Sequence, residues 1–178
     1  MATIFLVGAR AAGKSTVGLE LARLLDCPFA DTDQHLRRSL GRSVAEVVAA
    51  EGWAGFRARE SAALRQVADA PARGHLVVAT GGGMVLAPEN RRFMRQRGTV
   101  LYLAAPVEAL ARRLARDPQA AQRPSLTGLE MVEEVRQVLA ERQPLYEEAA
   151  HHTLDATAPP AEICAAALRL LGLSPAKA

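Results

Sequence analysis

Gly8-Ala9-Arg10-Ala11-Ala12-Gly13-Lys14-Ser15 follows the apolar run Ile4-Phe5-Leu6-Val7 and leads into a helix-patterned segment. A strand, a glycine-bounded loop and a helix in that order form the setting in which a G-x-x-x-x-G-K-[ST] motif holds nucleotide phosphates. Backbone N–H groups of such a loop point inward at the phosphate oxygens, and the helix that follows presents its positive end to them. Lys14 adds a mobile charge that can follow a transferring phosphoryl group, and Ser15 supplies a hydroxyl for Mg2+. The nucleotide-binding candidates are therefore Ala11, Ala12, Gly13, Lys14, Ser15 and Thr16. Among 22 lysines and arginines only Lys14 and Lys177 are lysines, and Lys177 lies in a Pro/Ala-rich tail. A lysine kept at the phosphate position of an arginine-biased chain is what that function requires.

The 178 residues are 49% hydrophobic, enough for one domain with a sizeable core. Aromatics are scarce at 4%, which argues against stacking platforms for nucleic-acid bases. Cys27 and Cys164 are too few for a disulfide scaffold, and neither a signal sequence nor an apolar stretch of membrane-spanning length is visible. These features predict a soluble cytoplasmic protein without a membrane partner. The net charge is +3, and residues 112–123 alone carry four arginines against one aspartate. So local a surplus suits a triphosphate better than the wide basic face that a DNA backbone requires.

Five short β-prone runs occur at residues 3–7, 28–31, 76–79, 100–103 and 152–155, with helical patterns between them. Leu19, Leu21, Leu24 and Leu25 give the first helix an apolar stripe. Residues 33–40, 43–50 and 53–67 form a mainly helical insertion, with Ser43 and Glu46 at capping-box spacing. Pro88 and Pro106 open further helices, ending near residues 97 and 116. Residues 117–128 read as a loop long enough to be a mobile cover, 129–150 return to helix, and Pro159 and Pro160 begin a last helix to about residue 171. The tail at 174–178 is expected to fray. Alternating strands and helices after a phosphate loop predict an α/β fold in which a parallel sheet is covered on both faces.

Three further stretches carry candidate chemistry. Asp31-Thr32-Asp33 closes the second strand run, where side chains of an open α/β sheet reach the ligand crevice. Strand alternation would put both carboxylates on one side, and like charges so close call for a cation at one and a substrate hydroxyl at the other. The same residues also read as an ordinary helix N-cap before Leu36. Gly81-Gly82-Gly83 follows the third strand, where a ligand can approach the main chain without meeting a Cβ; a plain loop is the alternative. Arg57 and Arg59 fall on different helical faces, and Arg57, beside Phe56, is the candidate to hold a carboxylate with two parallel hydrogen bonds. Arg142 is a second such candidate, although exposed helix arginines are often only solvated. Arg123, before Pro124 in the loop, would reach the β- and γ-phosphates on closure. The four histidines show no metal-ligand spacing with each other or with the cysteines.

In order, Gly8 to Ser15, Asp31-Thr32-Asp33, Phe56-Arg57 with Glu60, Gly81-Gly82-Gly83, Arg123-Pro124, and Arg142 with Leu145-Tyr146 resemble the shikimate kinase family over roughly residues 4–157. The Trp53-Ala54-Gly55-Phe56-Arg57-Ala58-Arg59-Glu60 stretch resembles the form carried by some enterobacterial members. The resemblance implies a three-layer α/β/α P-loop kinase fold with a central five-stranded parallel sheet, a substrate-binding insertion at about 32–68 and a lid at about 112–128. It also implies ATP-dependent phosphorylation of the 3-hydroxyl of shikimate, a step toward chorismate and the aromatic amino acids. By similarity Asp33 holds the ring hydroxyls and helps deprotonate the attacking one, Arg57 and Arg142 hold the carboxylate, and Gly82 and Gly83 line the pocket. Ser15 would ligand Mg2+ with Asp31 behind it, Lys14 and Arg123 would stabilise the transferring phosphate, and Arg113 would lie near the adenine. The chain departs from the family at Ala11, where a third glycine is usual, so its backbone there must avoid glycine-only angles. A kinase for gluconate or a nucleoside monophosphate is the rival within this architecture, but an arginine pair with Asp33 favours a hydroxylated carboxylic acid. A nucleotide-dependent switch or nucleic-acid binder fits less well, since no guanine-reading N-K-x-D is present. A monomer is expected.

Overall fold

Thr3–Val7 (β1) is buried along its whole length, with Ile4 and Leu6 in one apolar cluster and Phe5 and Val7 in another. A strand covered on both faces needs no polar side, which is why this run reads as continuous hydrophobe. It pairs in parallel with Leu76–Ala79 (β3) on one side and Gly98–Ala104 (β4) on the other. Phe29–Asp31 (β2) lies beyond β3 and His152–Asp155 (β5) beyond β4, giving the order β2-β3-β1-β4-β5. The computed structural model describes residues 2–70, 74–116 and 130–176.

Three layers result. Lys14–Leu24 (α1), Val107–Ala115 (α5) and Pro160–Leu171 (α7) contribute Val17, Leu21, Leu110, Ile163 and Leu168 to the cluster of Ile4 and Leu6. On the opposite face, Leu64 and Val67 of Val44–Ala68 (α3), Met94 of Pro88–Arg97 (α4) and Tyr146 of Met131–Ala149 (α6) pack with Phe5 and Val7. Thr32–Leu40 (α2) and the first part of α3 enclose a small separate cluster of Leu36, Val47, Phe56 and Ala63. That cluster gives the two helices their own footing at the sheet's edge. From β1 the chain departs toward β2 and β3, and from β4 toward β5, so a topological switch opens at the carboxyl ends of β1 and β4.

The element order follows the sequence reading, with local differences. The helices predicted at 43–50 and 53–67 are found as the two halves of α3, which meet at Gly52, whose φ of 70° and ψ of 174° interrupt the helical path. The capping box is present: Glu46 N–H donates to Ser43 Oγ at 3.2 Å, and Ser43 N–H to Glu46 Oε2 at 2.7 Å. The predicted stripe on α1 is incorrect at Leu19, which is 60% exposed, because the buried face runs through Val17, Gly18, Leu21 and Ala22. Of the tail predicted to fray, residues 174–176 are described, and Ala176 N–H donates to Leu24 O at 2.7 Å, which ties the chain back to the end of α1. The predicted lid lies outside the described residues beyond position 116, and Arg123 with it.

Candidate active site

The phosphate loop shapes itself through backbone angles. Gly8 and Gly13 have φ of 147° and 90°, beyond the left-handed well that L residues visit, while Ala11 sits inside that well at 62°. Ala11 therefore takes a left-handed angle but not a glycine-only one, at a cost of about 1 kcal/mol. A Cβ on Gly8 would lie 2.7 Å from Leu103 O, so glycine is also needed there for the loop to lie against β4. Gly13 caps α1, and Lys14 Nζ donates to Gly8 O at 2.9 Å and Ala9 O at 2.8 Å, which holds the ammonium over the loop. Ala12 is 1% exposed with its Cβ in the core, and its N–H donates to Ala9 O at 3.2 Å.

Asp31-Thr32-Asp33 divides its labour differently from a simple strand end. β2 stops at Asp31 and α2 starts at Thr32, so helix geometry, not strand alternation, sets the direction of Asp33. Asp31 Oδ1 accepts from Asp33 N–H at 2.9 Å and Gln34 N–H at 3.1 Å, which is the N-cap. Its other oxygen, Oδ2, accepts from Ser15 Oγ at 2.5 Å. One carboxylate thus caps α2 and also meets the Ser15 hydroxyl at the end of the phosphate loop. Thr32 is buried, and its Oγ1 accepts from Gly81 N–H at 3.0 Å, joining the ends of β2 and β3.

A cavity of ≈ 320 Å³ opens over these strand ends. Ala11, Gly13, Lys14, Ser15 and Thr16 wall it on one side, and Asp31, Asp33 and Gly82 on the other. Arg10, Gln34, Arg37 and Thr80 complete it, and the sequence had singled out none of them. Three positive side chains face two carboxylates there, a balance suited to an anionic ligand with a cation or proton in attendance.

Arg57, Gly83 and Arg142 are not among those walls; they belong to an adjoining charged cluster centred on Glu60. Arg57 Nη1 is hydrogen-bonded to Glu60 Oε2, with the side chains 24% and 6% exposed. The Arg57 guanidinium lies 5.3 Å from the Trp53 ring centre and 5.6 Å from that of Phe56. Arg59 turns outward instead, donating to both carboxylate oxygens of Glu51 at 2.7 Å. Burial pushes the Glu60 carboxyl above its ordinary value; Arg57 opposes this, Asp33 reinforces it, and Arg142 opposes it more weakly. All four groups are therefore electrostatic neighbours. Arg142 Nε is buried without a hydrogen-bond partner among the described residues, leaving a charged donor for something else to satisfy.

Gly81-Gly82-Gly83 forms the seam between cavity and cluster. A Cβ on Gly81 would collide with Asp33 Oδ1 and one on Gly83 with the Arg57 guanidinium. A Cβ on Gly82 would stand 3.4 Å from Arg10 N and 3.6 Å from Gly8 O, on the phosphate loop itself. Gly81 and Gly83 thus let different side chains approach the main chain, whereas a Cβ on Gly82 would make only ordinary contact with the loop. Arg113 donates to Ala11 O at 3.3 Å and Ala156 O at 2.6 Å, bracing the phosphate loop to the segment after β5. Glu60, Thr32 and Arg10 lacked any assigned role at the sequence level; for Glu60 the available signal was its position one helical turn after Arg57.

A phosphate loop at a topological switch, with an acceptor pocket joined to it through a glycine seam, defines a P-loop kinase of small molecules. The shikimate kinase family model matches residues 10–171. A shikimate kinase 2 from Sodalis glossinidius is 57% identical over 94% of this chain and 94% of its own. One from Yersinia enterocolitica is 58% identical, with 95% of each chain covered. Among solved structures, a shikimate kinase from Acinetobacter baumannii in complex with shikimate superposes with a TM-score of 0.85 at 38% identity, covering 96% of this chain and 93% of that one. The chain belongs to the shikimate kinase family.

Proposed function

We propose that this protein transfers the γ-phosphoryl group of ATP to the 3-hydroxyl of shikimate, giving 3-phosphoshikimate and ADP in chorismate and aromatic amino acid biosynthesis. The observation that carries this reading is the glycine seam, which sets Asp33 beside the phosphate cavity and Arg57 just beyond it. The substrate carboxylate pairs with Arg57 and with the Arg142 guanidinium, whose Nε has no hydrogen-bond partner among the described residues, while Gly82 and Gly83 give the ring access to the main chain. Asp33 faces the ring hydroxyls and accepts the proton of the attacking one. As the 3-oxygen bonds to the γ-phosphorus, the bond from that phosphorus to the β–γ bridging oxygen breaks, and the electron pair leaves on ADP. The transition state spreads negative charge over the phosphoryl oxygens, so positioning and positive charge supply most of the rate enhancement. Lys14 and the loop N–H groups provide that charge, with Arg123 assigned to the same phosphates from its sequence position and Arg113 to the adenine side.

The Ser15 hydroxyl and Asp31 Oδ2, 2.5 Å apart at the edge of the phosphate cavity, are hard oxygen donors that suit Mg2+. Ser15 would hold the ion, with Asp31 behind it. When bound with the nucleotide, Mg2+ neutralises charge on the β- and γ-phosphate oxygens. The insertion at about 32–68 would carry the acceptor side of the site and the segment at about 112–128 the lid. The enzyme would work as a cytoplasmic monomer on a small molecule, without nucleic acid or membrane; among the described residues no helix is long and apolar enough to cross a membrane. A coupled assay of ADP release with shikimate, gluconate, AMP and CMP tests the assignment. Turnover with shikimate only is expected; equal turnover with gluconate contradicts it.

A further inference from the structure

Tyr146 has no part in the chemistry above, yet it stands at the junction that chemistry needs. Its ring is 1% exposed and stacks on Tyr102, with centroids 5.2 Å apart and planes inclined by 23°. Phenylalanine would serve that stack equally well. The hydroxyl does something phenylalanine cannot: it donates to Gly82 O at 2.7 Å, inside a buried environment where an unpaired polar group would be costly. Gly82 in turn lies beside the phosphate loop, close enough that an added Cβ would reach the Gly8 and Arg10 backbone. Arg142 lies four residues before Tyr146 on α6, and side chains at that spacing share a helix face. Burial pushes the phenol up to about 12, with the nearby Arg142 guanidinium pulling the other way, so the hydroxyl keeps its proton at neutral pH. One side chain therefore touches the seam glycine against the phosphate loop and neighbours the arginine offered to the acceptor's carboxylate.

We propose that the Tyr146 hydroxyl is a positioning group that holds Gly82 and Arg142 in register with the phosphate loop, so that filling the nucleotide site and filling the carboxylate site affect each other through it. The inference rests on the shikimate kinase reading. Gly82 and the loop together line the phosphate cavity, so a displacement of the loop on phosphate binding bears on Gly82, and the hydroxyl passes it to the helix carrying Arg142. Coupling of this kind is reciprocal: whatever factor ADP applies to shikimate affinity, shikimate applies to ADP.

Tyr146→Phe keeps the ring and removes only the hydroxyl. Calorimetric titration of shikimate, with and without ADP, should give a shikimate Kd raised about tenfold, as expected for a lost buried hydrogen bond beside a charge. The Kd of ADP alone should stay within about twofold, and the factor by which ADP alters shikimate affinity should fall to about one. In turnover, the shikimate KM should rise more than kcat falls. Tyr102→Phe, which alters the other face of the same stack, should leave both the shikimate Kd and the coupling factor unchanged. A Tyr146→Phe protein with wild-type Kd and coupling, altered only in Tm, overturns the inference. Should that variant not fold, the chain's two tyrosines permit another route. 3-Fluorotyrosine incorporated into Tyr102→Phe labels Tyr146 alone, and its fluorine resonance should shift when ADP is added and again with shikimate. A resonance that neither ligand moves overturns the inference as well. Wild-type protein that binds no shikimate would overturn the kinase reading itself, an outcome visible in the first titration.

Discussion

The phosphate loop and the Glu60 cluster are neighbours built by opposite means. The loop is eight consecutive residues whose donors are main-chain N–H groups, shaped by Gly8, Ala11 and Gly13, with Lys14 as its one lysine. The cluster gathers Asp33, Arg57, Glu60 and Arg142 from three separate helices and depends on side-chain charges held out of water. A main-chain site is encoded where it stands and tolerates changes of most side chains around it. A side-chain site is encoded only once the fold brings its parts together, and the charges there act on one another. Damage should therefore be concentrated at few positions in the first region and shared among many in the second.

The sharpest break comes from Lys14→Ala. Removing the one lysine charge over the loop should lower kcat by about a thousandfold in the coupled ADP assay. Activity within about tenfold of wild type would show that main-chain donors suffice. Asp33→Asn keeps the shape of the seam and removes the proton acceptor, so kcat should fall by roughly a hundredfold or more while ADP affinity is kept. A near-normal kcat would leave Asp33 a positioning group. Arg57→Ala attacks only the acceptor side: the shikimate KM should rise by about ten- to a hundredfold, the range for a charge-assisted hydrogen bond, with the ATP KM unchanged. An unchanged shikimate KM would place Arg57 outside the binding surface.

Glu60 sharpens the comparison through pH. Its folded-state carboxyl lies above the ordinary value because burial outweighs the pull of Arg57. The folded protein then holds that proton more tightly than the unfolded chain, so the associated stability is present below the ordinary value and is lost as pH rises through the raised one. Melting curves of wild type and Glu60→Gln between about pH 4 and 7 should show wild type losing ground to the variant as pH rises. The opposite trend would mean that Arg57 wins over burial. The smallest effect is expected in the loop. Ala11→Gly relieves a left-handed angle but adds freedom to the unfolded chain, and the two terms of about 1 kcal/mol nearly cancel. A Tm change of no more than about 2 °C is expected, and a loss of several degrees would show that the Ala11 methyl group contributes packing.

The same contrast explains what the sequence could reveal. The strand–loop–helix start was legible because it is local, and the five strands because each is a short β-prone run between helices. The break within α3 was legible as the gap between the helices expected at 43–50 and 53–67, and it falls at Gly52, where the chain leaves the helical path. Leu19 misled because a helix stripe read from leucines alone overlooks that Val17, Gly18 and Ala22 complete the buried face. Asp31 could not be resolved between cap and site from the sequence because one oxygen makes the cap while the other is left to meet Ser15 Oγ, a partner sixteen residues away. Glu60 and Tyr146 belong to the family pattern, but their roles depend on burial and on partners far along the chain. A glutamate in a helix looks solvated until the structure covers it. The strand order and the nearness of Gly82 to the loop are tertiary facts with no local signature.

The central claim is that phosphate cradle and acid pocket meet at the glycine seam, and a crystal soaked with shikimate and ADP tests it most directly. The account predicts density for shikimate between Asp33, Arg57 and Gly82, its carboxylate on Arg57 and its 3-hydroxyl toward both the Asp33 carboxylate and the phosphate loop. Shikimate bound elsewhere, or with its 3-hydroxyl turned away from the nucleotide, would contradict it.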